Sequence, residues 1–474
     1  MDTSSSKLNA QKVPRRILGA LLSGISAGVV PRSGAPYIAI GRVDEIRALS
    51  DDLSRVADGQ SSMRFIIGRY GSGKSFLLQL LRARAMELGF VCADADLSPE
   101  RKLAGEGGLA AYRELSRNLA VKAQPDGGAW SLLLGRWISS VAASVPGADS
   151  MDETAYREAV RREAARILRP MEDEVCGYDY ALVVTRYAEA YLADDAERMG
   201  ACLRWLRGEF RTKTDARAAT GLRSIGVITD ANWYAHLRLL ARLVRLIGNR
   251  GLLVLIDECV NLYKIPNRIS RESNYEKILS MYNDTLQGVT EGMMIVMGGT
   301  PRFLEDTRRG LFSYEALRSR LSDARFTSEG GVPLKNMMAP VIRLRRLSDN
   351  ELLALVMRLR SLHAQYYGTG EVITDEEAGA FLREELSRAG ADEMITPREI
   401  IRDFVTLLDL LYQNPGATFG EVMRRTVEGS VTADASAAEE SAPDFDAVLR
   451  GEPLDMPAGH ETKAIPVALE DLEL

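Results

Sequence analysis

The sequence predicts an α/β protein with a parallel sheet at its centre and helices on both faces of that sheet. An apolar run at residues 251–256 indicates a central strand, because a strand buried on both faces carries an unbroken apolar run. A second apolar run, at residues 65–67, leads through a glycine-rich loop into a helix with apolar periodicity. Between them, residues 105–249 are mainly helical in pattern and longer than a crossover between strands requires. We therefore expect one sheet core interrupted by a helical insertion.

Composition is that of an ordinary globular protein. Of the 474 residues, 46% are apolar and 27% are charged, which suffices for a buried core and two or three domains. No run approaches the roughly 18 apolar residues of a membrane span, and residues 1–12 lack the apolar centre of a signal peptide. We expect a cytoplasmic protein without membrane contact. Four scattered cysteines and three histidines support neither a disulfide framework nor a zinc site.

Charge is unevenly distributed along the chain, whose net charge is −6. Residues 431–474 carry eleven acidic and two basic side chains, a net of −9, so residues 1–430 carry +3. We expect this tail, which is poor in aromatic residues, to be disordered, as we do residues 1–13. The predicted division is a first core part at 14–104, the helical insertion at 105–249, a second core part at 250–344, a helical lid at 345–430 and the acidic tail.

The glycine-rich loop fits the phosphate-loop pattern G-x-x-x-x-G-K-[ST]. Strand, loop and helix follow in the order that the motif requires, which favours this interpretation over an ordinary glycine turn. Backbone N–H groups of such a loop surround phosphates at the positive end of a helix. Lys74 is expected to contact the β- and γ-phosphates of ATP, and Ser75 to bind Mg²⁺. The predicted nucleotide-binding residues here are Gly68, Arg69, Tyr70, Gly71, Ser72, Gly73, Lys74, Ser75 and Phe76.

Two acidic residues follow the apolar run at 251–256. Asp257 is predicted to hold the water shell of Mg²⁺ and Glu258 to orient or polarise the attacking water. Adjacent carboxylates after a strand are usually the start of a solvated loop, but a phosphate loop upstream favours function. Asp257 is therefore a candidate metal ligand with Ser75, and Glu258 a candidate catalytic residue with Lys74. The predicted cofactors are ATP and Mg²⁺.

Five further positions resemble the pattern of AAA+ ATPases. Gly41 and Arg42, after a strand-like run at 37–40, lie where that class borders the adenine and ribose. Thr300 follows an apolar run at 293–299, where the class places its polar "sensor 1" residue. Arg318 and Arg320 fall where an arginine finger reaches the γ-phosphate of a neighbouring subunit. The alternatives stay open: a surface charge for each arginine, and a turn residue before proline for Thr300.

The residues after 344 resemble an AAA+ helical lid. Ser348 and Glu351 form a capping box, as do Thr396 and Glu399, so a helix is expected to begin at each. Arg398 lies in the first turn of the second of these helices, where the helix dipole disfavours a cation. Such an arginine resembles "sensor 2", which contacts the nucleotide; a plain surface charge is the alternative.

Residues 201–250 are the most basic stretch of the body, with ten Lys or Arg against three acidic residues, a net of +7. Arg238, Arg242 and Arg245 recur at i, i+4 and i+7, so they share one side of a predicted helix whose other side is apolar. This stripe either contacts DNA phosphates without reading sequence or pairs with acidic groups elsewhere in the chain. Both alternatives remain open.

Eight short stretches carry a family resemblance. They are Gly28-Val-Val-Pro-Arg, Ile40-Gly-Arg, Gly68-Arg-Tyr-Gly-Ser-Gly-Lys-Ser, Ala93-Asp-Ala-Asp-Leu-Ser-Pro, Trp205-Leu-Arg-Gly-Glu, Leu255-Ile-Asp-Glu, Asn274-Tyr-Glu-Lys-Ile and Gly310-Leu-Phe-Ser-Tyr-Glu-Ala-Leu. In them the chain resembles the ATP-binding proteins of BREX (bacteriophage exclusion) systems, of the BrxD type. The resemblance spans residues 14–415 and omits the acidic tail.

The resemblance implies an AAA+-type ATPase that serves antiviral defence together with other BREX-type proteins. The residues themselves imply ATP binding and hydrolysis, and three kinds of action remain open. These are a motor or remodeller acting on DNA or on a defence complex, a slow STAND-like nucleotide switch or scaffold, and an origin-recognition-like DNA loader. The intact pair of Asp257 and Glu258 favours the first. Because an arginine finger acts in trans, we expect an oligomer when ATP is bound.

Overall fold

The computed structural model describes residues 13–29, 34–322, 336–387 and 396–424. Five strands form one parallel sheet: β1 (Ser62–Ile67), β2 (Val91–Asp96), β3 (Leu252–Asp257), β4 (Met293–Gly299) and β5 (Val341–Arg343). Their order across the sheet is β2–β3–β4–β1–β5. Parallel strands place their carboxyl ends at one edge, so the loops after β1, β2, β3 and β4 meet there. The predicted phosphate loop and acidic pair both lie at that edge.

Both faces of the sheet are buried, as the unbroken apolar runs predict. Successive strand residues point to opposite faces. One face, which includes Ile66, packs against α2 (Val43–Ala57) and α3 (Lys74–Glu87). The other, which includes Phe65, packs against helices that follow β2 and β3. The sheet therefore lies between two packed layers.

The chain between β2 and β3 is mainly helical. Its helices are α4 (Gly108–Arg117), α5 (Trp130–Ser144), α6 (Glu153–Leu168), α7 (Gly177–Leu192), α8 (Ala196–Leu206), α9 (Lys213–Thr220) and α10 (Trp233–Leu246). Large side chains from this segment, such as Tyr112, Trp130 and Trp205, belong to the same buried cluster as Phe65 of β1. The inserted helices are therefore part of the core on one face of the sheet.

Within the described residues between β3 and β5, the core is completed by α11 (Val260–Tyr263), α12 (Arg268–Leu286), α13 (Pro301–Glu305) and α14 (Glu315–Leu321). In the described parts of residues 344–413, β5 is followed by α15 (Asp349–Tyr367), α16 (Asp375–Ser387) and α17 (Pro397–Gln413). The N-terminal helix α1 (Arg15–Ser26) packs against α15 and α17. Both predicted capping boxes are confirmed, at Ser348 with Glu351 and at Thr396 with Glu399. They fix where α15 and α17 begin.

One predicted strand is wrong. The run at 37–40 is not a strand; Ala35–Ile38 forms a 3₁₀ helix instead. Gly34 has a φ of 87° and Pro36 lies in the first turn, and together they turn the chain before the run begins. The predicted disordered segments lie outside the described residues, apart from Val13.

The chain divides after Gln413 into two compact units. In the second unit the structure describes residues 414–424, where Thr418 opens a helical turn and donates its backbone N–H to Glu421. The domain boundaries predicted from the sequence remain predictions. None of the helices within the described residues is both long and apolar enough to cross a membrane.

Candidate functional site

The loop between β1 and α3 has the backbone that phosphate binding requires. Gly71 and Gly73 have φ values of 72° and 89°, in the left-handed region that favours glycine. Helix α3 begins at Lys74, and no side chain caps its first turn. The N–H groups of that first turn have no partner within the helix. They are therefore available to an anion at the positive end of the helix dipole.

Two side chains of the loop also fit a phosphate ligand. The Lys74 ammonium donates to the Arg69 carbonyl at 2.9 Å. Burial lowers the pKa of Lys74 from its usual value, while the nearby carboxylates of Asp257 and Glu258 oppose that change. The Ser72 hydroxyl oxygen is buried without a hydrogen-bond partner. A phosphate would give the Ser72 hydroxyl a partner and the Lys74 ammonium an anionic one.

Asp257 joins the phosphate loop to the end of β3. Its Oδ2 accepts a hydrogen bond from the Ser75 hydroxyl at 2.5 Å, and its Oδ1 accepts one from the Glu258 N–H at 2.8 Å. Because Ser75 donates its proton to Asp257, the lone pairs of its hydroxyl oxygen remain for a cation. Gly298 of β4 packs closely against the Asp257 carboxylate, since a Cβ at Gly298 would lie 2.3 Å from Asp257 Oδ1.

The described residues hold no cluster of three His, Cys, Asp or Glu side chains able to bind a metal directly. Mg²⁺ usually keeps several waters and takes one or two protein ligands plus substrate phosphates. Ser75 and Asp257 supply that kind of ligand set. The residues present therefore fit Mg²⁺ held together with a nucleotide.

A cleft of about 920 Å³ opens beside the loop, and its lining combines polar and apolar groups. The lining includes the loop residues from Tyr70 to Phe76 and Glu258. It also includes apolar side chains on or next to α1, the 3₁₀ helix, α15 and α17, which are Ile25, Val29, Ile38, Ile40, Leu347, Leu355 and Ile401. Polar groups for phosphates together with apolar groups for a base suit a nucleotide.

Arg42 holds the loop through its backbone. Its guanidinium, only 4% exposed, donates to the carbonyls of Ser72 and Arg345, both at 2.9 Å. Burial is the largest influence on the pKa of Arg42 and lowers it. Gly41 has a φ of 75°, and a Cβ there would lie 2.6 Å from Leu347. The two residues thus join the phosphate loop to the start of α15.

The N-terminus of α17 lies against the loop from the other side. A Cβ on Gly71 would be 2.5 Å from the Thr396 side chain, so the approach depends on glycine. Arg398 lines the cleft and lies over the ring of Tyr70, with its Cζ 5.5 Å from the ring centroid. Arg398 Nη1 also donates to Tyr70 Oη at 3.4 Å. Tyr70 is 73% exposed, which places both groups at the mouth of the cleft.

Three other predicted site residues, Thr300, Arg318 and Arg320, are not among those that line this cleft. The Thr300 hydroxyl accepts a hydrogen bond from the Phe303 N–H at 3.3 Å and caps α13. Arg318 and Arg320 are exposed on α14, and Arg320 donates to the Ala316 carbonyl. Neither arginine lines a cleft beside the phosphate loop in the part of the chain that the structure describes. Their predicted roles stay predictions.

The arginine stripe on α10 faces acidic groups of the same chain. Arg238 pairs with Glu174 and Asp284, and Arg242 with Glu174 and Glu291. The third arginine, Arg245, donates to the carbonyls of residues 56 and 57. These contacts favour the second of the two alternatives that the sequence left open, in which the stripe pairs internally.

Sequence reasoning gave no role to Asp96, which the structure places beside the site. It is the last residue of β2 and lines a second cleft, of about 690 Å³, together with Ser75, Asp257 and Glu258. Although Asp96 is exposed, the cleft walls remove enough water to raise its pKa, and the charges of Asp257 and Glu258 add to the effect. The alternation Asp-Ala-Asp at the end of a predicted strand is the sequence feature that could have indicated a carboxylate at this edge of the sheet.

Comparison with known proteins identifies one family. The sequence model of the family described as "BREX system ATP-binding protein BrxC/D" matches residues 13–427. No curated protein and no solved structure matches the chain.

Proposed function

The chain belongs to the BREX system ATP-binding protein BrxC/D family, and from this premise we propose that it binds ATP with Mg²⁺ and hydrolyses ATP as an AAA+-type protein. The observation that carries the proposal is the 2.5 Å hydrogen bond from Ser75 to Asp257, because it brings the phosphate loop and the acidic pair into one site. Lys74 and Glu258 line the same cleft. ATP binding needs only the phosphate loop. Hydrolysis also needs Glu258, which acts on the attacking water.

Each group then has a defined task. Lys74 leaves the Arg69 carbonyl and contacts the β- and γ-phosphates. Ser75 would hold Mg²⁺ directly and Asp257 would hold it through water, and the bound cation would neutralise charge that develops on the phosphates. Glu258 orients the water that attacks the γ-phosphorus and accepts its proton, so that ADP and phosphate leave.

The remaining predicted residues complete the proposal. Gly41 and Arg42 border the nucleotide, and Arg398 contacts its phosphates when α15–α17 close as a lid. Thr300 acts as a polar sensor after β4. Arg318 or Arg320 reaches the γ-phosphate of a neighbouring subunit, which is why we expect an oligomer when ATP is bound.

We place the protein in the cytoplasm, acting with other BREX proteins on DNA or on a defence complex. A contact with DNA through residues 201–250 would use cations that the α10 pairs do not occupy, such as exposed Arg211, Lys213 and Arg223. Log affinity for duplex DNA falls with log salt by about 0.9 per neutralised phosphate. We expect that slope to shrink when these three residues become Ala and to stay unchanged in an Arg238→Ala/Arg242→Ala variant. An unchanged slope in the triple variant, together with a smaller slope in Arg238→Ala/Arg242→Ala, would exclude a DNA contact through Arg211, Lys213 and Arg223.

The proposal is tested first by nucleotide binding. Lys74→Ala should abolish binding of a fluorescent ATP analogue, because the phosphates lose their one lysine partner. Lys122→Ala is the matched control, since that exposed lysine pairs with Glu87 away from the cleft. Wild-type protein should release phosphate from ATP over many turnovers and only with Mg²⁺. Binding by Lys74→Ala at wild-type affinity contradicts the site, and binding without turnover indicates a nucleotide switch.

A further inference from the structure

Asp96 and Asp257 end neighbouring strands of the sheet. They are register partners in the β2–β3 pair, and adjacent strands lie about 4.8 Å apart. Both line the second cleft, which Ser75 and Glu258 also line. The two carboxylates therefore start from neighbouring points at the edge where the nucleotide site lies.

The backbone after Asp96 is fixed to the segment that carries Asp257. The Leu97 N–H donates to the Asp257 carbonyl at 3.0 Å. The Asn261 amide in turn donates to the Leu97 carbonyl at 2.8 Å. These bonds tie Leu97, the residue after β2, to Asp257 and to Asn261. They fix the backbone of Asp96 relative to that of Asp257.

A second aspartate on the same strand provides a comparison. Asp94 lies two residues earlier, on the same side of β2, and lines the same cleft. Its Oδ1 accepts a hydrogen bond from Arg82 Nε at 3.0 Å, which neutralises it. Asp96 has no corresponding hydrogen bond or ion pair among the residues that the structure describes, and the charge of Arg101, which acts to lower the pKa of Asp96, is outweighed by burial and by the neighbouring carboxylates. Of the two aspartates that line the cleft, Asp94 is therefore paired with an arginine and Asp96 is not.

We propose that Asp96 is a further positioning residue of the nucleotide site, whose carboxylate accepts hydrogen bonds from the waters around the nucleotide-bound magnesium ion. The inference rests on the ATP–Mg²⁺ site proposed above. Mg²⁺ keeps several of its waters when bound between a protein and phosphates, and those waters need acceptors. Asp257 supplies one acceptor group, although it is already bonded to Ser75 and to the Glu258 N–H. Asp96 supplies a second, from the adjacent strand.

The test compares Asp96→Asn with Asp94→Asn in the full chain. Affinity for Mn²⁺ is measured by electron paramagnetic resonance in the presence of a non-hydrolysable ATP analogue, so the readout does not depend on turnover. Loss of an outer-shell acceptor typically lowers metal affinity by about 10-fold, and we expect that loss in Asp96→Asn. Affinity for the nucleotide without metal should not fall. Asp94→Asn should keep its Mn²⁺ affinity.

Three outcomes decide the matter. If Asp96→Asn binds Mn²⁺ like the wild type while Asp257→Asn binds it weakly, the proposed nucleotide site stands and the role of Asp96 is overturned. If Asp257→Asn also binds Mn²⁺ like the wild type, the proposed site itself is wrong. If Asp94→Asn and Asp96→Asn lose affinity equally, the effect is general strand charge, and the role of Asp96 is again overturned.

Discussion

At the scale of single residues, the acidic pair is held in an uncommon conformation. Glu258 has a φ of 54°, a region that non-glycine residues rarely adopt and that costs roughly 1–3 kcal/mol. Two hydrogen bonds maintain it: the Glu258 N–H to Asp257 Oδ1 at 2.8 Å, and the Cys259 N–H to the Gly298 carbonyl at 3.0 Å. Any change that moves the Asp257 carboxylate therefore also moves Glu258.

Gly298→Ala tests this dependence. The new Cβ would lie 2.3 Å from Asp257 Oδ1, so this oxygen, which accepts from the Glu258 N–H, must shift. We expect ATP turnover to fall by roughly 100-fold, as for other displacements of about 1 Å at a catalytic group. Steady-state kinetics at increasing Mg²⁺ would show it. The control is Gly200→Ala in α8, where a Cβ meets no atom within 4 Å; equal activity of the two variants would contradict the account.

At the scale of elements, charge fixes the connection between β5 and α15. Glu351 Oε1 and Oε2 accept hydrogen bonds from Arg345 at 2.5 and 2.6 Å, and Glu351 also closes the capping box with Ser348. The Arg345 guanidinium is the main cause that lowers the pKa of Glu351 to about 2. Since the Arg345 carbonyl accepts from Arg42, this joint is also tied to the phosphate loop.

The stability of this joint should depend on pH. The pKa of Glu351 is lower in the folded chain than its ordinary value of 4.5, so its contribution is complete above about pH 4.5 and is lost as pH falls towards 2. We therefore expect Glu351→Gln to lower the melting temperature at pH 7 and to converge with the wild type as pH falls through that window. Thermal unfolding from pH 7 to pH 2 measures it. A difference between the two proteins that is independent of pH would refute the role of the charge.

Local patterns predicted the parts of the site that are close in sequence. The phosphate loop, the acidic pair and the start of α17 at Thr396 each depend on residues within one turn or one strand end. Contacts between distant segments were not predictable, because spacing carries no signal for them. Arg42 bonding to the carbonyl of Ser72 is one such contact. The partners of the α10 arginines and the neighbour relation of Asp96 to Asp257 depend likewise on how helices and strands pack.

At the scale of the whole molecule, we propose that a second subunit contributes an arginine to the site. The inserted helices share one buried core with the sheet, and both belong to the same compact unit of the chain. Arg318 and Arg320 are exposed on α14 and contact no described part of the cleft in their own chain. An arginine finger has this placement before assembly, because it acts on the nucleotide of its neighbour.

Mixing two inactive variants tests action in trans. An Arg318→Ala/Arg320→Ala variant should bind ATP but lose roughly 10³-fold in turnover, since the finger is absent. Glu258→Gln should be inactive for a different reason and keeps both arginines. A mixture should recover activity, because the arginines of a Glu258→Gln subunit can act on the nucleotide of an arginine-variant subunit, whose Asp257 and Glu258 are intact. A mixture that stays inactive would contradict action in trans, as would a strict monomer with full activity at every concentration.

The measurement that tests the central claim most directly is ATP binding and turnover of Glu258→Gln at saturating Mg²⁺. Glutamine keeps the shape of the side chain but cannot accept the proton of the attacking water. We expect affinity for ATP to remain that of the wild type and turnover to fall by about 10²- to 10⁴-fold. Glu315→Gln, at an exposed acid on α14, should change neither. Hydrolysis by Glu258→Gln at the wild-type rate would contradict the assignment of this cleft as the hydrolytic site.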